Sequence, residues 1–140
     1  MAVSDDVADT IAGFALFADL SAPQREQVAH LFDEAWFSEG ERILRQGFSG
    51  SGLYVILDGA AAIRIDGVDR ATLQAGDYFG EISVLLGELP NADIVALRRL
   101  RCLVLPSAQV EAFLKAHPNV MFRLLQGEAR KVRTTTKWLT

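Results

Sequence analysis

The chain has 140 residues, half of them hydrophobic, with 18 acidic against 14 basic side chains and a net charge of −4. That length suits one domain spanning residues 1–140 with a core of its own and leaves no room for a second, while the acidic balance repels polyanions and argues against non-specific nucleic-acid binding. Cys102 is the only cysteine, so no internal disulfide forms, and its apolar setting, RCLVLP, predicts a buried, unreactive thiol in a reducing compartment.

The N-terminal stretch MAVSDDVADTIAGFALFADL carries acids where a signal peptide carries bases, and no apolar run approaches the roughly 18 residues of a membrane span. The expectation is a soluble, unprocessed, cytoplasmic protein. Residues 1–35 read as two helices. Over 5–18, Val7, Ile11, Phe14 and Phe17 or Ala18 fall at helical spacing; then Ser21 and Gln24 form a capping box that opens a second helix with Val28, Leu31 and Phe32 as its apolar stripe. From residue 36 to 105 short β-rich runs alternate with Gly and Asp-Gly signals, among them Asp58-Gly59 and Asp66-Gly67, which predicts a compact all-β body. After Pro106 the helical period returns in SAQVEAFLKAH, and again past Pro118, a residue suited to a helix's first turn.

Most enzyme chemistries lack their residues. His30 and His117 lie in helical stretches on either side of the β-body, so a metal site inside it would have no imidazole. GFSGSG, residues 47–52, matches neither a phosphate loop nor a nucleophile elbow and precedes a strand rather than a helix, so it reads as a turn. No cofactor is implied. The stretch FGEISVLLGELPNADIVA, residues 79–96, is different: Gly80 precedes EISVLL, one or two helical turns whose free N–H groups attract an anion. Glu81, an acceptor when ionised, suits a sugar hydroxyl beside that anion, although it equally suits the helix dipole.

Taken together, FADLSAPQREQVAHLF, GERILRQGFSGSGLYVILDGAAAIR and LQAGDYFGEISVLLGE, followed by two closing helices, resemble the cyclic-nucleotide-binding domains of catabolite activator proteins, cyclic-nucleotide-dependent kinases and cyclic-nucleotide-gated channels. The resemblance implies a mainly β fold with flanking helices: a jelly-roll-type β-roll with N-terminal helices, a short phosphate-cassette helix and two C-terminal helices. It places the ligand on Gly80, Glu81, Ile82, Ser83, Asn91 and Ala92, with Glu81 on the ribose 2′-hydroxyl. Thr135 and Thr136 of the last helix match residues that touch the base.

One departure stands out. Aligned without gaps, Pro90 occupies the position of the family's phosphate-binding arginine; shifted by one, Asn91 does, and Asp93 adds negative charge nearby. Losing a charged hydrogen bond of that kind costs about 1.5–3 kcal/mol. Arg45 and Arg64 are the neighbouring cations, both expected on solvated strand faces. In the last helix Leu125, Val132 and Leu139 recur every seven residues, with Ala129 and Thr136 between them, which suits a homodimer seam. Arg123, Arg130, Lys131, Arg133 and Lys137 give the same helix a basic face, expected to be solvated. No helix-turn-helix follows, so output is expected to pass through an effector protein rather than DNA or membrane. Two readings remain: a non-enzymatic regulatory sensor for cAMP or cGMP, and a degenerate fold kept as an interaction scaffold with its pocket empty or filled by a side chain such as Trp138.

Overall fold

The computed structural model describes residues 6–48 and 52–137, with side chains described as far as residue 134. Residues 49–51 of GFSGSG, together with Trp138 and Leu139, lie outside them. The described residues begin with helix α1 (Asp6–Ile11), a 3-10 turn (Ala15–Phe17) and helix α2 (Ala22–Leu31). The single helix expected over residues 5–18 is therefore interrupted. Gly13 is a poor residue for a helix interior, by about 1 kcal/mol, and Phe14 is extended (φ −92°, ψ 134°), with its ring beside Gly76. Val7, Ile11 and Phe17 still enter one core.

The capping box that opens α2 is complete: the Gln24 N–H donates to Ser21 Oγ (3.3 Å) and the Ser21 N–H donates to Gln24 Oε1 (2.8 Å). Val28 and Phe32 are buried, but Leu31 is 50% exposed. The helix ends at Leu31 and the chain turns extended at Phe32, so Ala29 rather than Leu31 completes the inward face.

Among the described residues, eight strands follow in two antiparallel sheets. The first contains β1 (Asp33–Phe37), β8 (Leu100–Pro106), β3 (Gly52–Asp58) and β6 (Tyr78–Phe79), in that order. The second contains β2 (Arg42–Leu44), β7 (Asp93–Ala96), β4 (Ala60–Ile65) and β5 (Val68–Gln74). Strand β3 shows why the roll closes. With period-2 alternation, Leu53, Val55 and Leu57 face the helices while Ile56 and Tyr54 face the other sheet, so both faces are covered and the strand reads as a nearly unbroken apolar run. β8 does the same with Leu103 and Leu105 outward and Leu100 and Cys102 inward. Burial pushes the Cys102 thiol up to about 12, leaving it protonated at neutral pH.

The two Asp-Gly signals do different work. Asp66 and Gly67 both have positive φ (52° and 78°) in the two-residue connection from β4 to β5, the backbone of a tight hairpin turn. Asp58-Gly59 is instead the corner at which the chain leaves one sheet for the other, since β3 and β4 do not pair.

Between β6 and β7 lies the short helix α3 (Glu81–Leu86), and after β8 come α4 (Ser107–Ala116) and α5 (Pro118–Lys137). The base of α5 is tied down by Val120 and Leu124 in the core and by a two-pronged ion pair from Arg123 to Asp19 (2.8 and 2.9 Å). Arg101 ties α1 to β1 in the same way, pairing with Asp6 and Glu34. Among the described residues, no helix is long and apolar enough to cross a membrane.

Candidate functional site

The close approach that creates the site involves two glycines. Gly80, which precedes α3, has φ +86°, and a Cβ there would collide with the carbonyl oxygen of Gly52 on β3. Only glycine satisfies both the left-handed backbone and the missing space. The first turn of α3 is thereby pressed against the roll, and its side chains are sequestered: the Glu81 carboxylate is only 4% exposed, and the buried Ser83 hydroxyl donates to the Gly80 carbonyl (3.2 Å).

A cleft of about 340 Å³ opens beside this turn. Gly80, Glu81, Ile82 and Ser83 line it from the cassette helix, Pro90, Asn91 and Ala92 from the segment before β7, and Leu44, Ile63, Ile65, Phe79 and Ile94 from the strands. Its size and its mostly apolar walls with a few polar groups are those of a small-molecule site. All six sequence-predicted residues of the cassette meet in this one cleft. Thr135 and Thr136 lie in α5, but their side chains are outside the described residues.

Pro90 is buried and lines the cleft, so the position at which the resemblance expects an arginine does face the cavity, with an apolar ring in its place. Neither neighbouring arginine compensates. Arg64 pairs with Asp69 (2.6 Å) on the outer side of its hairpin, and Arg45 lies over the Phe48 ring (4.9 Å). Asp93, expected to add charge near a phosphate, does not line the cleft. It accepts the Gln46 N–H (2.7 Å) and lies 3.8 Å from Arg42, so it fixes the β2–β7 edge.

Among the described residues, the cation that lines the cleft is Lys131, from α5. Its Nζ donates to Glu81 Oε2 at 2.8 Å and to Glu128 Oε1 at 3.4 Å, and it lies 5.1 Å from the centre of the Tyr78 ring. Among the described side chains of the basic face expected to be solvated on α5, Arg123 and Lys131 instead make ion pairs across the fold, to Asp19 and Glu81. Beneath Lys131, the Tyr78 hydroxyl donates to the Leu124 carbonyl (3.1 Å), and Gly127 makes room for that hydroxyl, because a Cβ there would overlap it. Burial acts to lower the Lys131 pKa, but the Glu81 and Glu128 carboxylates together raise it. Glu128 is pushed up to about 7, first by burial and then by its hydrogen bond to and repulsion from Glu81, with Lys131 opposing.

Sequence reasoning missed this second wall. The alternation in AAIRI put Ile63 and Ile65 on one face with Arg64 opposite, a readable signal; likewise Leu124, Gly127, Glu128 and Lys131 share one helical face by their i, i+3, i+4, i+7 spacing. Among the described residues no group of three or more His, Cys, Asp or Glu side chains is placed to hold a metal ion.

Comparison with known proteins resolves the fold's affiliation. The sequence model of the cyclic nucleotide-binding domain matches residues 34–117, more than half of the chain. The chain belongs to the cyclic nucleotide-binding domain family. The crystal structure of the Thermus thermophilus catabolite activator protein superposes with a TM-score of 0.81 at 28% identity, covering 89% of this chain and 61% of that one. The regulatory domain of Toxoplasma gondii PKA, crystallised with cAMP, gives 0.74 at 25% identity over 89% of this chain and 49% of that one. In sequence, a cGMP-dependent protein kinase of Toxoplasma gondii is 29% identical over 119 residues, 85% of this chain. The chain spans only 29% and 12% of the lengths of the curated relatives it matches. The mainly β architecture with flanking helices is therefore the family's β-roll, and the family's binding modules are regulatory and non-catalytic.

Proposed function

We propose that the domain is a non-enzymatic sensor that binds a cyclic nucleotide of the cAMP or cGMP type in the cleft between α3 and α5. One observation carries this reading: Gly80 to Ser83 and Pro90 to Ala92, separated by the second half of α3 and the loop after it, converge on a single cleft, with the buried carboxylate of Glu81 among its lining groups. In this reading the backbone donors of residues 81–83 and Ala92 receive the phosphate, Glu81 accepts the ribose hydroxyl, Asn91 adds a polar contact at the rim, and Thr135 and Thr136 approach the base. Binding is weak because the cassette contributes no cation, and the signal leaves through displacement of α5 toward an effector protein.

The outer face of α5 supports self-association. Phe122, Leu125, Ala129 and Val132 recur at intervals of three, four and three residues and are all exposed, Leu125 by 60% and Val132 by 65%. Such spacing is that of a two-helix seam, and the proposal is a homodimer through α5. Sedimentation analysis showing a monomer at every concentration would remove it. The cytoplasm is the proposed location. Isothermal titration with cAMP and cGMP tests the sensor directly: saturable binding supports it, and no heat with either ligand at millimolar concentration rejects it. That negative result would favour the interaction-scaffold reading, toward which the buried Pro90 and the occupied Glu81 already point.

A further inference from the structure

We infer that Lys131 is a tethered internal competitor for the ligand: its ammonium occupies the Glu81 acceptor, and a cyclic nucleotide enters only by prising it off. The inference rests on the proposed function and adds a mode of regulation to the same site. Glu81 is the buried carboxylate of the cleft, and it is engaged by an ammonium delivered from α5 at 2.8 Å, from a side chain that is itself half-exposed. A sugar hydroxyl that donates to Glu81 must take over an oxygen whose partner is a full positive charge, so part of the binding energy is spent on separating the pair.

The geometry also assigns the consequence of that separation. Lys131 bridges Glu81 on α3 to Glu128 on its own helix, with the Tyr78 ring below it and the Tyr78 hydroxyl fixed to Leu124. Around the cleft, these contacts attach the distal part of α5, whereas its base is attached separately by Arg123 and Asp19. Displacing Lys131 therefore removes this attachment and lets the helix above Leu124 reseat over the ligand, where Thr135 and Thr136 reach the base, while its own base stays in place. Ligand occupancy and loss of the Lys131–Glu81 pair become two sides of one equilibrium, because a ligand shifts a two-state system only through its different affinity for the two states.

The test uses the full chain and the variant Lys131→Met, which keeps the length and apolar stem of the side chain and removes the ammonium. Arg133→Met, an exposed position on the same helix, controls for the loss of one positive charge near an anionic ligand. Titration with cAMP and cGMP should show Lys131→Met binding about tenfold to a hundredfold more tightly than the parent, the range expected for release of one charged hydrogen bond, and Arg133→Met binding no more tightly than the parent. Hydrogen exchange of the ligand-free proteins should show residues 128–137 exchanging faster in Lys131→Met, with residues 118–124 unchanged. Equal or weaker binding by Lys131→Met overturns the competition. If neither protein binds either nucleotide, the proposed function itself is rejected, and unchanged exchange at residues 128–137 then rejects the attachment as well.

Discussion

Helices α3 and α5 face each other across the same cleft, but they are held there by different kinds of force. The first turn of α3 is positioned by backbone against backbone: Gly80 in a left-handed conformation touches the Gly52 carbonyl, and nothing larger fits. The part of α5 that lines the cleft is positioned by side chains, Lys131 on Glu81 and the Tyr78 hydroxyl on the Leu124 carbonyl. A wall built from backbone has one arrangement, because a collision has no alternative partner. A wall built from a half-exposed ammonium has several, because water and ligand compete for the same groups. One side of the cleft is thus an anvil and the other a closure.

Adding a single methyl group at Gly80 is the strongest way to break the comparison. Gly80→Ala combines a left-handed penalty of about 1–2 kcal/mol with an overpacking cost of about 1–3 kcal/mol, so a stability loss of about 2–5 kcal/mol is expected in urea denaturation. No neighbouring side chain can be trimmed to relieve it, since the obstacle is a carbonyl. A loss below about 1 kcal/mol would mean that the cassette backbone is adaptable after all.

Next in size is the effect of giving the rigid wall the charge it lacks. Pro90 is buried against the cleft, so Pro90→Arg directs a guanidinium toward the proposed phosphate position, and an arginine fork can engage two phosphate oxygens. Binding of cAMP should tighten by about tenfold to a hundredfold. Asp93 does not need to be replaced to achieve this, because its carboxylate is already engaged by the Gln46 N–H and Arg42 at the β2–β7 edge. Asp93→Thr should instead destabilise the fold by about 1 kcal/mol or more through the lost charged hydrogen bond. A titration in which Pro90→Arg binds no better than the parent would place the ligand elsewhere in the cleft.

The same methyl group on the other wall should cost less and be reversible. At Gly127 the obstacle is the Tyr78 hydroxyl, a side-chain atom, and alanine is otherwise favoured in a helix by about 1 kcal/mol. Gly127→Ala should cost about 1 kcal/mol net, as the collision and the broken Leu124 bond outweigh that propensity gain. Adding Tyr78→Phe removes the colliding oxygen, and the double variant should regain most of the parent's melting temperature. A double variant as unstable as Gly127→Ala alone would show that this wall too is set by backbone.

The contrast between the walls also explains what could be read from the amino acids. The β-roll and the cassette were legible because they depend on local grammar: Gly80 before a helical turn, Ser21 with Gln24, alternating apolar residues in β3, and Asp66-Gly67 with paired positive φ. Residues 5–18 mislead because their apolar spacing continues across Gly13, whereas the helix stops at Ile11 and Phe14 turns extended. Leu31 misled because a stripe position at the last residue of a helix turns with the chain. Lys131 was not legible as a pocket residue. Its partner is 50 residues away, and the pairing exists only once α5 folds back over β6. The Asp93 contact to Gln46, across 47 residues, was hidden for the same reason.

The effect hardest to isolate is a pH dependence confined to the α5 wall. Glu128 is approached by Glu81 from α3, Lys131 from its own helix and Tyr78 from β6, and its carboxyl stands at about 7 rather than the usual 4.5, chiefly because it is buried and then because Glu81 shares a hydrogen bond with it. Between those two values the folded chain holds a proton that the unfolded chain has released. Stability from this group is therefore present in full below about pH 4.5, declines as pH rises, and is lost above about pH 7. Other carboxylates titrate across the lower part of the same range, so the informative quantity is the difference between the parent and Glu128→Gln, which keeps the neutral hydrogen-bonding shape at every pH. Denaturation at about pH 5 and about pH 8 should find the parent losing ground to the variant as pH increases, while the Gly80→Ala penalty stays the same at both. A parent-to-variant difference that does not move with pH would mean that Glu128 is ionised throughout, with Lys131 rather than a proton neutralising both carboxylates.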